Sequence, residues 1–173
     1  MSVEVQCKQH LSDEEAEQLF GWGTNIFESD HLNVEWAGPT SWRFIVYEAG
    51  KAVSHAGLLE HTIDVGQQPV KVGGICAVVT VPSARNKGYA RNTLETAAQF
   101  TRDKLKVEFG FLFCLQRLIP FYSRLGWQAI TDPVFIEQPA GKRQMPEGLH
   151  AMRLNCQNQV WPAGKVELNR FPW

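Results

Sequence analysis

The sequence has almost no surplus of charge: 17 lysines and arginines stand against 18 aspartates and glutamates, a formal net charge of −1 over 173 residues. A nucleic-acid partner, which leaves a strongly basic footprint, is therefore not expected. Long apolar runs are missing too, and none approaches a membrane span, so no membrane partner is expected either. Cysteine is scarce. Cys7, Cys76, Cys114 and Cys156 lie far apart with no Cys-x-x-Cys pair, and they read as buried structural thiols rather than ligands or nucleophiles. The five histidines (His10, His31, His55, His61, His150) show no metal spacing, and no metal is expected. This thiol usage fits a reducing, cytoplasmic location. With Glu4, Lys8, Asp13, Glu14 and Glu15 near its start, no secretory signal is expected.

What is present is an ordinary globular composition, 44% hydrophobic and 20% charged, long enough for one well-cored domain spanning 1–173. Residues 3–8 read as a short first strand. Ser12 followed by Glu15 is a capping box, opening a helix with Ala16, Leu19 and Phe20 on one face. Residues 24–30 suggest another short helix, and 31–41 an irregular segment containing Gly38-Pro39. Strands follow at 43–47, 52–65 and 70–81. The last, VKVGGICAVVTV, is nearly continuous and β-branched, as expected of a central strand covered on both faces. Its Gly73-Gly74 predicts a bulge or a close approach to the backbone. Residues 90–104 read as a helix with Ala90, Leu94, Ala97, Ala98, Thr101 and Leu105 as its apolar stripe. A buried strand at 109–114 completes a strand–helix–strand unit whose strands should run parallel. A short helix at 120–124 closes at Gly126, strands are expected at 127–130 and 149–156, and 133–148 reads as a loop before a tail from Trp161 to Trp173.

Between the central strand and its helix stands VPSARNKGYA, residues 81–90. Basic residues in a strand-to-helix loop are commonplace, and that is the plain reading. The other is a cradle for phosphate oxygens. Gly88 permits positive φ where the turn tightens. The amides of Lys87, Gly88, Tyr89 and Ala90 would sit at a helix N-terminus, which favours an anion. Arg85, Lys87 and Arg91 surround them. No Gly-x-x-x-x-Gly-Lys-Ser/Thr or Gly-x-Gly-x-x-Gly occurs, so neither a P-loop nor a dinucleotide fold is expected.

Pro82-x-x-Arg85-x-x-Gly88-x-Ala90 resembles the Pro-x-x-Arg-x-x-Gly-x-Gly/Ala motif of the GNAT superfamily of acyl-CoA N-acyltransferases. Ile119-Pro-Phe-Tyr122-Ser-Arg-Leu-Gly126-Trp127 is similar to that superfamily's later segment with a helical tyrosine. The resemblance covers roughly 42–156. A narrower similarity, at 52–66 and Trp161-Pro-Ala-Gly164, is to rhizobial nodulation N-acyltransferases. The order of motifs and the tryptophan at 173 look like aminoglycoside 2′-N-acetyltransferases. The implied fold is α+β (α/β): a strongly bent mixed sheet of six to seven strands, helices on both faces, splayed between strands 4 and 5 with coenzyme A in the gap.

The same resemblance implies an acetyl-CoA-dependent N-acetyltransferase acting on a primary amine of a small molecule, an amino sugar of the aminoglycoside kind being its sharpest version. Transfer of a longer acyl group, or a non-catalytic coenzyme A-binding sensor module, are the alternatives. A monomer or a homodimer is expected. Coenzyme A binding maps to Val78, Val79 and Thr80 for the thioester arm, and to Arg85, Asn86, Lys87, Gly88, Tyr89 and Ala90 for the diphosphate. Tyr122 is the implied proton donor to the leaving thiolate; the plain reading is a core aromatic with a wet hydroxyl. No base is assigned, because the central strand has no carboxylate and Cys76 stands near the position where many relatives carry glutamate. A water chain, Glu35, Asp30 or the carboxylate of Trp173 remain open as takers of the amine proton. Residues 27–36 combine carboxylates and aromatics where acceptors bind in this superfamily, which would suit a cationic acceptor with a ring; a solvated acidic turn is the equal alternative. The 133–148 loop would form another wall of that site, or carry Lys142 and Arg143 as plain surface charge.

Overall fold

The computed structural model describes residues 3–38 and 40–173, so Pro39 of the irregular segment lies outside the described residues. β1 (Val5–Lys8) precedes α1 (Asp13–Phe20), and the capping box forms: Glu15 N–H donates to Ser12 Oγ at 3.1 Å and Ser12 N–H to Glu15 Oε2 at 2.9 Å. β2 (Trp42–Glu48), β3 (Lys51–Val65) and β4 (Gln68–Thr80) form an antiparallel meander. α2 (Tyr89–Phe100) continues through a wider turn at Thr101–Leu105. It leads into β5 (Phe109–Leu115), which lies parallel to β4 as the strand–helix–strand reading requires. α3 (Ile119–Arg124), β6 (Gln128–Ala129), β7 (Val134–Gln138), β8 (Gly141–Gln144), β9 (Leu149–Asn155) and β10 (Val166–Glu167) complete the chain.

These strands join in one mixed sheet, ordered β6-β9-β5-β4-β3-β10-β7-β8, with β2 paired along the first half of β3 and β1 paired outside β2. Helices cover both faces because neighbours on β2 point opposite ways. Phe44 packs with Leu94 and Ala97 of α2, whereas Ile45 packs with Leu19 of α1. Each of these leucines is fully buried, contributing about 2 kcal/mol of apolar burial. A mixed sheet with helices on both faces, as expected, is thus present.

Among the described residues ten strands form where six to seven were expected. The 133–148 segment is a hairpin, β7 against β8, not a loop. β7 alternates buried and half-buried residues, whereas every residue of β8 is exposed and carries no hydrophobic signal. The tail also adds β10, antiparallel to β3 and parallel to β7. Residues 24–30 form turns in place of a helix, and one 3₁₀ turn follows at Asp30–Leu32.

The paired glycines serve close approach. A Cβ on Gly73 would lie 2.7 Å from Thr101 Cγ2, and one on Gly74 would lie 2.6 Å from Trp173 Nε1. The bulge falls three residues later, at Ala77, whose φ is 47° and where the β3–β4 register shifts.

Candidate active site

β4 and β5 pair only from Val72↔Phe109 to Ile75↔Leu112. Past that point they part, leaving the β5-facing edge of Cys76–Thr80 without a strand partner. A cavity of about 490 Å³ opens there. Cys76, Ala77 and Val78 line it from β4, Cys114 from β5 and Tyr122 from α3.

The Ala77 bulge is held from behind. His55 Nδ1 bonds the Ala77 carbonyl oxygen at 2.7 Å and its Nε2 lies 3.2 Å from Arg43 Nη1. Burial, reinforced by the Arg43 charge, brings the pKa of His55 down to about 4. A neutral ring then donates from Nδ1 and accepts at Nε2, satisfying both contacts.

Tyr122 is buried, its ring edge-on to Trp127 with centroids 6.3 Å apart. Pro120 sits in the first turn of α3, and the N–H groups of Leu125 and Trp127 both donate to the Tyr122 carbonyl, fixing the helix end. Its hydroxyl forms no hydrogen bond with any described residue. Burial pushes its pKa well up, with Cys114 adding to the shift. The same dryness raises Cys114 to about 11 and Cys76 to about 12, the nearby Arg43 and Arg170 opposing the latter shift. Both thiols stay protonated near neutrality.

The loop from β4 to α2 follows directly from the open C-terminal end of β4. Gly88 caps α2 with φ 81°, and a Cβ there would meet nothing within 4 Å. The first bond along α2 runs from Asn92 N–H to the Gly88 carbonyl, so the amides of Tyr89, Ala90 and Arg91 have no partner within the helix. Asn86 is exposed with φ 63°. The cations are engaged. Lys87 pairs with Glu48 at 2.7 Å, and Tyr89 also donates to Glu48. Arg85 donates from Nε to the Thr80 carbonyl and lies over the Trp22 ring. Of the three β4 residues mapped to the thioester arm, Val78 faces the cavity. Val79 packs on Leu19, and the Thr80 hydroxyl bonds Ser54.

The carboxylates of 27–36 do not line the cavity, although Phe27, Ser29 and Trp36 do. Glu28 is exposed and pairs with Arg117. Asp30 and Glu35 are exposed as well. The backbone of Glu35 is clamped by the Gln138 side chain at 2.9 and 3.0 Å, Arg143 donates to the Asn33 carbonyl, and Ala37 N–H donates to the Pro172 carbonyl. The β7–β8 hairpin therefore braces this wall from outside, and Lys142 pairs with Glu167 on the surface. Trp173 closes the cavity, its Nε1 donating to the Phe111 carbonyl at 3.4 Å.

Arg43 and Thr40 also line the cavity, and sequence reasoning passed over both. Arg43 sits in an apolar strand, where a charged residue was the available signal. Thr40 offers none.

Among the described residues, no helix is long and apolar enough to cross a membrane. Residues 18–130 match the sequence profile of the acetyltransferase (GNAT) domain. No curated protein matches the sequence. Among solved structures, an acyl-CoA N-acyltransferase from Pseudomonas aeruginosa is 24% identical over 88% of this chain and 99% of its own, with a TM-score of 0.57. A GNAT family N-acetyltransferase (YhbS) from Escherichia coli in complex with CoA is 13% identical over 97% and 91%, with a TM-score of 0.58. An N-acetylglutamate synthase from Neisseria gonorrhoeae, complexed with coenzyme A and N-acetylglutamate, is 14% identical over 91% of this chain and 36% of its own, with a TM-score of 0.60.

Proposed function

Because the chain belongs to the GNAT acetyltransferase family, we propose that it transfers an acetyl group from acetyl-CoA to a primary amine of a small acceptor by direct attack on the thioester. One observation carries this reading: the open edge of β4 past Ile75 and the phenol of Tyr122 border the same cavity. The residues also fit coenzyme A. Gly88 leaves clear space over three unpaired helix amides, where a diphosphate gains both hydrogen bonds and the favourable end of the α2 dipole. Arg85 and Lys87 supply charge, Lys87 by exchanging Glu48 for phosphate oxygen. Asn86, Tyr89 and Ala90 contribute backbone. Val78 borders the thioester arm, while Val79 and Thr80 contribute through the strand edge alone.

In the reaction the amine nitrogen bonds the acetyl carbon, the carbon–sulfur bond breaks, and one proton passes in net from nitrogen to sulfur. A backbone amide of the open β4 edge is the available donor to the developing oxyanion. Tyr122 donates the proton to sulfur. A phenol made less acidic by burial suits this role, because a thiolate in the same dry cavity becomes more basic, as Cys76 and Cys114 illustrate. No aspartate or glutamate lines the cavity among the described residues, so the amine reacts from its neutral form and loses its proton to water. For the same reason a polycationic amino sugar finds no counter-charge there.

The missing carboxylate also favours a second reading, a coenzyme A-binding module without turnover. Free-thiol release from acetyl-CoA and from a long-chain acyl-CoA, across a panel of primary amines, separates these. Release with acetyl-CoA and one amine class supports the proposal. Tight coenzyme A binding with no release on any amine supports the module instead.

A further inference from the structure

The acceptor half of the cavity holds a charge without a counter-charge. Arg43 lines it from β2, yet it takes part in none of the ion pairs among the described residues. Its Nε is buried with no hydrogen-bond partner, and so is Oγ1 of Thr40 on the same wall. The guanidinium hydrogen-bonds His55, which burial keeps neutral. His55 therefore orients Arg43 without neutralising it. Arg43 as a residue is half-buried, but a polar atom held out of water without a partner is costly unless something else completes it, and here two such atoms face one cavity. Aromatic rings share the wall with Arg43 and Thr40: Phe27, Trp36, Phe113 and Trp173, with Trp36 edge-on to Phe113 at 6.2 Å.

We propose that the acceptor is an amino acid-like molecule, a primary amine bearing a carboxylate and a ring or large apolar body, whose carboxylate is bound by Arg43 with Thr40 beside it. A planar guanidinium matches a carboxylate through two parallel hydrogen bonds, and the orphaned Thr40 hydroxyl can donate a third. The charge of Arg43 is felt at Cys76, on the open stretch of β4, so an acceptor anchored there lies beside the strand edge where the thioester is to be aligned. This assignment rests on the acetyl-transfer reading for its amine, but not for its carboxylate.

The test uses matched probes on the intact protein. Phenylalanine and phenethylamine share ring and primary amine and differ by the carboxylate; their thiol release from acetyl-CoA is compared. 3-Phenylpropionate, with ring and carboxylate but no amine, and neutral 3-phenylpropanol are titrated calorimetrically with coenzyme A present. The same titrations are run on Arg43→Gln and Arg43→Lys. Phenylalanine should exceed phenethylamine at least about tenfold in kcat/KM, the scale of one charge-assisted hydrogen-bonded pair. 3-Phenylpropionate should bind about tenfold more tightly than the alcohol, lose that margin in Arg43→Gln and regain part of it in Arg43→Lys. Equal turnover of the two amines, or a margin unchanged in Arg43→Gln, overturns the carboxylate site while leaving acetyl transfer standing. A margin that depends on Arg43 with no amine acetylated keeps the site and sinks the transfer reading. Failure of 3-phenylpropionate to bind overturns the proposal. Should Arg43→Gln not fold, the acid-versus-alcohol comparison on the unaltered protein decides.

Discussion

His55 shows how much one buried side chain can carry. It supports the Ala77 carbonyl on one side and Arg43 on the other, and burial brings its pKa from the usual 6.5 to about 4. Between those values the unfolded chain binds the extra proton and the folded one does not. Its contribution to stability is therefore complete above pH 6.5 and is lost as pH falls toward 4, by about 3 kcal/mol over the whole window. Urea midpoints at pH 7 and pH 5 should fall accordingly, and His55→Gln should flatten the slope; an equally steep variant would place the titration elsewhere. Tyr122 is the matching case for chemistry. Tyr122→Phe keeps the ring against Trp127 and removes the proton, so kcat should drop by about two orders of magnitude while coenzyme A affinity stays within about twofold. An unchanged kcat would reassign the acid.

At the scale of elements, the turn into α2 is held in a resting state by Glu48 at the end of β2. This carboxylate binds both Lys87 and Tyr89, which lowers its pKa and raises those of both partners. A coenzyme diphosphate bound as proposed would have to displace it from Lys87. Glu48→Gln should accordingly tighten coenzyme A binding by up to about fivefold, the most an exposed pair supports, with the gain shrinking in high salt. Weaker binding in the variant would show that Glu48 organises the loop instead of competing for it. The loop was legible in the sequence because its turn chemistry is local: Gly88 needs positive φ and the helix start needs its amides free. The hairpin at 133–148 was not legible, since β8 buries nothing and its strand character comes from pairing with β7.

Across the whole molecule, Trp173 joins parts that are far apart in the chain. It lies over Gly74 of β4, donates to Phe111 of β5, stacks with Arg170 and closes the cavity. Gly74→Ala should cost about 2 kcal/mol by overpacking, and Trp173→Ala about 4 kcal/mol by the cavity it leaves. If the indole is what the new methyl meets, the costs are not additive: Gly74→Ala should be nearly neutral in the Trp173→Ala background, as a double-mutant cycle by urea unfolding would show. Full additivity would mean that Gly74 is required for another reason.

By itself the sequence determined what neighbours along the chain can settle: the capping box of α1, the parallel strand–helix–strand unit, the Gly88 turn and the tyrosine on α3. Periodicity, caps and turn residues act over a few positions, so their physics is written locally. Tertiary structure alone decided which charges enter the cavity. Glu28, Asp30 and Glu35 stand beside the lining aromatics in sequence and turn to solvent, while Arg43, on a strand with no site role expected from sequence, lines the cavity. Burial and pairing depend on what folds against a residue from elsewhere in the chain, and there the arrangement leaves Arg43 half-buried, its Nε out of water and without a partner.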